Sequence, residues 1–355
     1  MTTTPFPFAL ERLGVIMSPE PGNPLEIEGV LNPATARGAD GELYIYPRLV
    51  SAGNVSRIGI GRVELADGIP TGVERLGVVL EADRGWEHGT SHGGVEDPRI
   101  TTIPALGLHV MTYVAFGPLG PRPALAVSED ARSWRRLGPI QFGYEDALDT
   151  DLNLFPNKDV LLFPEPVPGP GGEPAFALLH RPMWDLEFAR AGERAPLPAG
   201  VTDDRASIWI SYMPVADVER DLAALARPIG HRFVAGPAYD WERLKIGAGP
   251  APLRVDEGWL LIHHGVSGEV VGSAFTPQNT VFYSAGAMIL DAADPARVLA
   301  RTDAPLIAPE TAEEVVGTVG NVVFPTAIER IDGEDFVFYG MADSKIGVAR
   351  LVRTV

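Results

Sequence analysis

One pattern recurs five times along the chain and constrains its fold more than anything else. A turn leads into an apolar run that ends in polar or aromatic residues: GELYIYPRL (41–49), GLHVMTYVA (107–115), PAFALLHRP (174–182), GWLLIHHGV (258–266) and EDFVFYGMA (334–342). The starts lie 66 to 84 residues apart. Each run is followed by another strand-like segment, and the first and last of these nearly match: SRIGIGRV (56–63) against SKIGVARL (344–351). Each is also preceded by a strand with a polar or Gly/Pro-rich head: NPATA (32–36), EDPRIT (96–101), NKDVLLFP (157–164), KIGAGPAPL (245–253) and NVVFPTAI (321–328). Period-2 apolar runs with turn residues between them specify strands. Fixed-period repetition specifies an array of like units.

The expectation is an all-β chain folded as a five-bladed β-propeller, a ring that leaves only short sheet edges. A large β-sandwich or two stacked β-domains is the competing arrangement. With 39 glycines and 33 prolines the chain has ample turn residues. No linker divides it, so residues 1–355 read as one domain. Its units fall at 30–80, 95–140, 157–215, 245–300 and 320–355, and the chain ends should join neighbouring blades. PVPGPGGEP (166–174) reads as a hairpin insertion, 185–206 as a surface excursion, and VADVERDLAALA (215–226) as a short helix with acids near its start.

Composition removes several functions. Without cysteine there is no disulfide scaffold, thiolate metal site or cysteine nucleophile. A formal charge of −18 argues against nucleic acid, which needs clustered Lys and Arg. No apolar run reaches the roughly 18 residues of a membrane span. The N-terminal segment lacks the basic start and apolar stretch of a signal peptide, so a cytoplasmic location is expected.

In a propeller the innermost strands line a funnel, where polar residues make the natural ligand site. The polar heads of the first strands bring Asn32, Glu96, Asp97, Arg99, Lys158, Asp159, Lys245 and Asn321 toward it. The polar ends of the second strands bring Arg48, Tyr113, His180, Arg181, His263, His264 and Asp343. Adjacent strand residues point to opposite faces, so each of the pairs His180-Arg181 and His263-His264 offers one side chain to a common site. Cations outnumber acids in this set. The surplus suits a small anion such as phosphate; equally, these charges tie the blades together. Histidine spacing of the HExxH kind is absent, so no metal is expected. HGTSHGG (88–94) lacks the strand and helix context of a phosphate loop and reads as a loop at the funnel mouth. Trp86, Trp184, Trp209, Trp241 and Tyr239 sit beside loops and strand ends, where a ring can stack on a sugar; Trp209 and Trp259 lie in apolar runs and read as core.

The motifs GVEDPRIT (94–101), NKDVLLFPE (157–165), LLHRP (178–182), KIGAGPAP (245–252), GWLLIHHGV (258–266), GNVVFPTA (320–327) and YGMADSKIGVA (339–349) occur in the order in which the chain resembles glycoside hydrolase family 130, the β-mannoside phosphorylases and related β-mannosidases. The resemblance runs from about residue 30 to about residue 350 and implies a five-bladed propeller. It implies Asp97 as catalytic acid and Lys158, Arg181 and His264 as the phosphate-binding trio. Asn32, Arg48, Arg99, Lys245, Tyr283 and Asp343 would surround the mannose. Three positions depart from the family pattern. Lys158 stands where arginine is common, Ser284 interrupts a YRxGA motif, and Pro47 precedes Arg48.

The implied reaction is inverting phosphorolysis of a β-mannoside to α-mannose 1-phosphate. Inorganic phosphate is co-substrate and no cofactor is needed. Phosphate replaces the base of an ordinary inverting glycosidase. Asp97 would pass its proton through the mannose 3-hydroxyl, which calls for a raised pKa. The expected partners are a mannose-containing oligosaccharide and phosphate, with neither nucleic acid nor membrane, and self-association into a homo-oligomer is left open. An inverting β-mannosidase on the same fold and a non-catalytic sugar-binding propeller are the alternatives.

Overall fold

The computed structural model describes residues 6–89, 92–184, 196–271, 278 and 280–354. The chain is all-β. Strand β1 (Phe8–Met17) is followed by five antiparallel units. The first holds β2 (Gly29–Arg37), β3 (Leu43–Ser51), β4 (Val55–Ala66) and β5 (Ile69–Leu80). The second holds β6 (Gly93–Ile103), β7 (Leu108–Gly117), β8 (Gly120–Ser128) and β9 (Arg135–Pro139). In the third are β10 (Asn157–Leu162), β11 (Val167–Pro168), β12 (Pro174–Pro182), β13 (Ile208–Pro214) and β14 (Ile229–Ala235). The fourth has β15 (Lys245–Ala248), β16 (Leu253–Val255), β17 (Gly258–Gly268), β18 (Val281–Leu290) and β19 (Val298–Arg301). The fifth has β20 (Val323–Ile331), β21 (Glu334–Met341) and β22 (Lys345–Arg353), completed by β1.

In pairing order all five expected repeats are the second strands of their units (β3, β7, β12, β17 and β21), and the matched segments 56–63 and 344–351 both fall in the third, β4 and β22. The hairpin read at 166–174 forms through β11 and β12. The helix expected over 215–226 is broken: it spans Val215–Arg220, ends at the extended Asp221, and Asp221 caps a separate 3₁₀ turn at Leu222–Ala226.

The sheets differ from a simple five-sheet ring. Among the described residues four sheets form, because Val55 and Ser56 of β4 bridge in parallel to Gly93 and Gly94 of β6 and merge the first two units. None of these sheets closes on itself among the described residues. The chain ends also differ from expectation: β1 pairs with β22, so both ends lie in one sheet. The pairing register of a single strand is not encoded in its own pattern.

Apolar clusters lie between units. Ala34, Tyr46, Met111 and Ala124 join the first to the second; Val110, Leu125, Phe176 and Trp209 join the second to the third. Leu179, Ile210, Trp259 and Leu261 join the third to the fourth; Leu260, Ile262, Val337 and Leu351 join the fourth to the fifth. Val30, Ile45, Phe338 and Ile346 join the fifth back to the first. Burying these faces at roughly 25 cal/mol per Å² is what holds successive units together.

A polar clamp repeats as well. Glu26, Glu87, Glu242 and Glu314 each precede the first strand of a unit, and all are buried. Each takes an arginine from the outermost strand of that unit: Arg75, Arg136, Arg301 and Arg12 respectively. Glu87, Glu242 and Glu314 also accept two backbone N–H groups three and four residues upstream. The third unit differs, with Glu145 facing His231 of β14 instead.

Candidate active site

The site is built from defects in the first strands. Pairing slips between Leu31 and Ala34 on β2, between Glu96 and Arg99 on β6, and between Lys158 and Leu161 on β10. Within those bulges Asn32, Asp97 and Asp159 take φ of 44°, 47° and 55°. Asn and Asp tolerate this left-handed region better than other side chains, and a bulge re-aims the residue it carries. Three consecutive units therefore turn a polar side chain out of the ladder at the same place.

Asn32 and Asp97 meet directly: Asn32 Nδ2 donates to Asp97 Oδ1 at 2.8 Å. Arg48 of β3 donates Nη1 to the same oxygen at 3.1 Å and Nη2 to Glu96 Oε1 at 2.9 Å. Its Nε donates to Ser56. Glu96, which is buried, also takes Lys158 Nζ at 3.3 Å, and that ammonium lies over the Phe116 ring. Glu96 thus spaces two cations around Asp97.

A second cluster forms on Asp159. Arg99 donates Nη2 to Oδ1 at 3.1 Å, and Arg181 donates Nε to Oδ2. His264 Nε2 lies 3.5 Å from Oδ2. Lys158 and Arg181 are cross-strand partners, which joins the clusters. Lys245 sits over the Tyr283 ring, and Tyr283 and Phe324 flank His264. Opposite His264 the strand carries Gly247, where a Cβ would run into Asp159 Oδ2 and the imidazole. Gly340 likewise leaves room for Asn32 Oδ1.

The electrostatics differ from the expectation for an acid in waiting. Burial works against ionisation of Asp97. Arg48, Lys158, the Asn32 hydrogen bond and Arg99 outweigh it, and the carboxyl is held below the ordinary aspartate range rather than raised. Asp343 behaves oppositely: burial pushes it up to about 6, opposed by Arg48 and assisted by the charge of Asp97. For Asp159, burial is overcome by Arg181 and Arg99, and the carboxyl stays ionised. His264 is held neutral by burial, well below the usual imidazole range. His264 is thus a neutral imidazole and not the cation expected of it.

The structure brings Asn32, Arg48, Asp97, Arg99, Lys158, Arg181, Lys245, His264 and Tyr283 into these two clusters, and Asp343 feels Arg48, Asp97, Lys158 and Glu96. Three other candidates face elsewhere. Tyr113 donates to Glu87, His263 pairs with Glu242, and His180 bonds Asn157 and Ser211. The adjacent pairs His180-Arg181 and His263-His264 therefore divide as strand alternation requires. Trp184 packs in the core on Phe155 and Trp209 and is not a sugar platform. Glu96 was legible as polar, but its bridging role rests on which two cations the fold brings to it.

Several buried polar atoms of the second cluster carry no hydrogen bond among the described residues: the donors Arg99 Nε and Arg181 Nη1, and both ring nitrogens of His264, one a donor and one an acceptor in the neutral imidazole. Such groups in one place need a partner. No group of three or more His, Cys, Asp or Glu among the described residues is placed to hold a metal ion. Nor, among them, is any helix long and apolar enough to cross a membrane.

Fold and site define an all-β protein in which buried carboxylates and cations interleave where successive first strands meet. The family described as beta-1,4-mannooligosaccharide phosphorylase matches residues 231–354. Two phosphorylases of Thermoanaerobacter sp. (strain X514) are each 32% identical to the chain. Similarity to the beta-1,2-mannobiose phosphorylase covers 72% of this chain and 66% of that protein. Similarity to the 1,2-beta-oligomannan phosphorylase covers 73% and 68%. The match thus spans about two thirds of those relatives' length. The structure of beta-1,2-mannobiose phosphorylase from Listeria innocua superposes with a TM-score of 0.70 at 21% identity, over 98% of this chain and 96% of that one. The chain belongs to glycoside hydrolase family 130.

Proposed function

We propose that this protein phosphorolyses β-mannosides with inversion, giving α-mannose 1-phosphate, and that its five units are the blades of a propeller around the site. The observation that carries the reading is that the buried Asp97 lies beside a cluster in which buried nitrogens of Arg99, Arg181 and His264 have no hydrogen-bond partner among the described residues. Phosphate is itself an anion and a nucleophile, so a phosphorolytic site needs donors to hold it and no second carboxylate to activate water. The similarity to mannoside phosphorylases supports the same class of reaction.

In this reading phosphate binds between Lys158, Arg181 and His264 and attacks the anomeric carbon. The bond to the leaving sugar breaks as Asp97 supplies a proton through the mannose 3-hydroxyl. Asn32 and Arg48 hold the Asp97 carboxyl in place. Asp97 is ionised in the free protein, so it must gain its proton on loading: an incoming anion offsets Lys158 and Arg181 and raises the carboxyl pKa.

A second reading, inverting hydrolysis, has one observation in its favour. Asp343, pushed up to about 6 and sensing the charge of Asp97, would then serve as the base.

Linkage and acceptor depend on loops. The expected determinants at 85–94, 185–206 and 266–280 fall partly outside the described residues. A reverse-reaction screen tests the reading: α-mannose 1-phosphate is offered with mannose, glucose, N-acetylglucosamine and mannobioses. Formation of a β-mannoside with release of phosphate supports it; no transfer to any acceptor contradicts it.

A further inference from the structure

Four of the five units close their outer edge with a glutamate–arginine clamp, and the third does not. In its place an unbroken chain of side chains runs inward. His231 of β14 donates Nε2–H to the Gly143 carbonyl at 2.8 Å and lies 3.7 Å from Glu145 Oε1. Its Nδ1 is 2.7 Å from Ser211 Oγ, and that oxygen is 2.9 Å from His180 Nε2. His180 Nδ1 is 2.9 Å from Asn157 Nδ2. Asn157 Oδ1 accepts the backbone N–H of Arg181 at 3.1 Å. Asn157, His180, Ser211 and His231 are all buried, and Phe142 packs against both imidazoles.

The chain has one consistent direction. A backbone N–H can only donate, so Asn157 presents Oδ1 to Arg181 and its amide to His180. His180 Nδ1 is therefore the acceptor and its Nε2 carries the proton. Ser211 accepts that proton and donates its own to His231 Nδ1. His231 then carries its proton on Nε2, facing the Gly143 carbonyl. Burial keeps both imidazoles neutral, as this pattern requires.

Its inner end stands at the anion face. Asn157 is the neighbour of Lys158, and its Oδ1 takes the main-chain N–H of Arg181, at the start of the β10 bulge. We propose that Asn157, His180, Ser211 and His231 are positioning residues that fix Lys158 and Arg181 for the attacking anion. The proposal rests on the phosphorolysis reading above. These side chains touch neither phosphate nor sugar; they act by holding the two residues that do. Loss of the chain should loosen the grip on phosphate and leave the sugar side, held by Asn32 and Arg48 in other units, in place.

The test separates the two substrates. Michaelis constants for inorganic phosphate and for the accepted β-mannoside are measured on the wild type, Ser211→Ala, Ser211→Thr and His231→Phe. Removing a buried hydrogen bond is expected to raise the phosphate KM about fivefold in Ser211→Ala and in His231→Phe. The mannoside KM and the kcat at saturating phosphate should stay within about twofold, and Ser211→Thr, which restores the hydroxyl, should return the phosphate KM toward wild type. His231→Phe keeps a ring beside Phe142 and carries the test if a Ser211 variant does not fold. Equal rises in both Michaelis constants, or an unchanged phosphate KM in the variants, would overturn the proposal while phosphorolysis stands. A wild type that turns over the mannoside without phosphate would remove the underlying reading, and the proposal with it.

Discussion

Asn32 and Asp97 occupy the same bulge position in consecutive units and meet across the boundary between them, Nδ2 to Oδ1 at 2.8 Å. Each is a left-handed residue followed by proline. The acid is thus held by a neighbouring unit as well as by its own strand, and Arg48 fixes the same oxygen from β3. Replacing Asp97 by Asn keeps the shape and removes the transferable proton. Asp97→Asn should lower kcat by about 10²–10⁴, the usual contribution of a general acid. Asn32→Ala should lower it less, since Arg48 remains. Initial rates at saturating phosphate and mannoside decide this; an Asp97→Asn enzyme within a few-fold of wild type would exclude the acid role.

The same carboxyl is held below the ordinary aspartate range, so in the proposed reaction it must gain its proton on loading. Phosphate entering beside Lys158 and Arg181 should raise the pKa of Asp97, and also that of Asp343 from about 6. Protons are bound whenever a pKa rises past the ambient pH. Titration calorimetry of phosphate binding near pH 7, in buffers of different ionisation enthalpy, should therefore show net proton uptake by the protein once the ionisation of phosphate itself is subtracted. Asp343→Asn should reduce the uptake. Net proton release would contradict this coupling.

Glu329 on β20 provides a test of stability away from the site. Burial pushes its carboxyl up to about 7, opposed by a hydrogen bond with Thr35 of the first unit and by Arg37. A carboxyl whose folded pKa exceeds its unfolded value of 4.5 favours the fold below that value. That contribution is lost as pH rises through about 7. Glu329→Gln, which stays neutral, should raise Tm relative to wild type at pH 8 and leave it nearly unchanged at pH 4. Equal effects of the substitution at both pH values would show that the charge of Glu329 is immaterial.

Much of this architecture was legible in the residues. The five second strands announce themselves by alternation and by turns before them, and the polar heads of β2, β6 and β10 mark the site because such residues rarely sit mid-strand without a reason. Other features depend on three-dimensional neighbours. The ionisation of Asp97 follows from Arg48 and Lys158, which are 49 and 61 residues distant in sequence. The clamp of Glu87 with Arg136 joins a loop to an outer strand, and Glu and Arg so far apart read as ordinary surface charges. The closure of β1 on β22 joins the first strand to the last, a pairing that no local pattern encodes. Polarity at the strand ends draws Tyr113, His180 and His263 into the candidate set without saying which face each occupies. The alternation of faces sends them instead to Glu87, Asn157 and Glu242.

The central claim is that phosphate, and not water, is the nucleophile. It is tested most directly by following a β-mannobiose of the linkage found in the reverse reaction, with and without inorganic phosphate, by ³¹P and ¹H NMR. The account predicts turnover only with phosphate, and α-mannose 1-phosphate as the first-formed product, equimolar with the released sugar. Release of free mannose at the same rate in the absence of phosphate would contradict it.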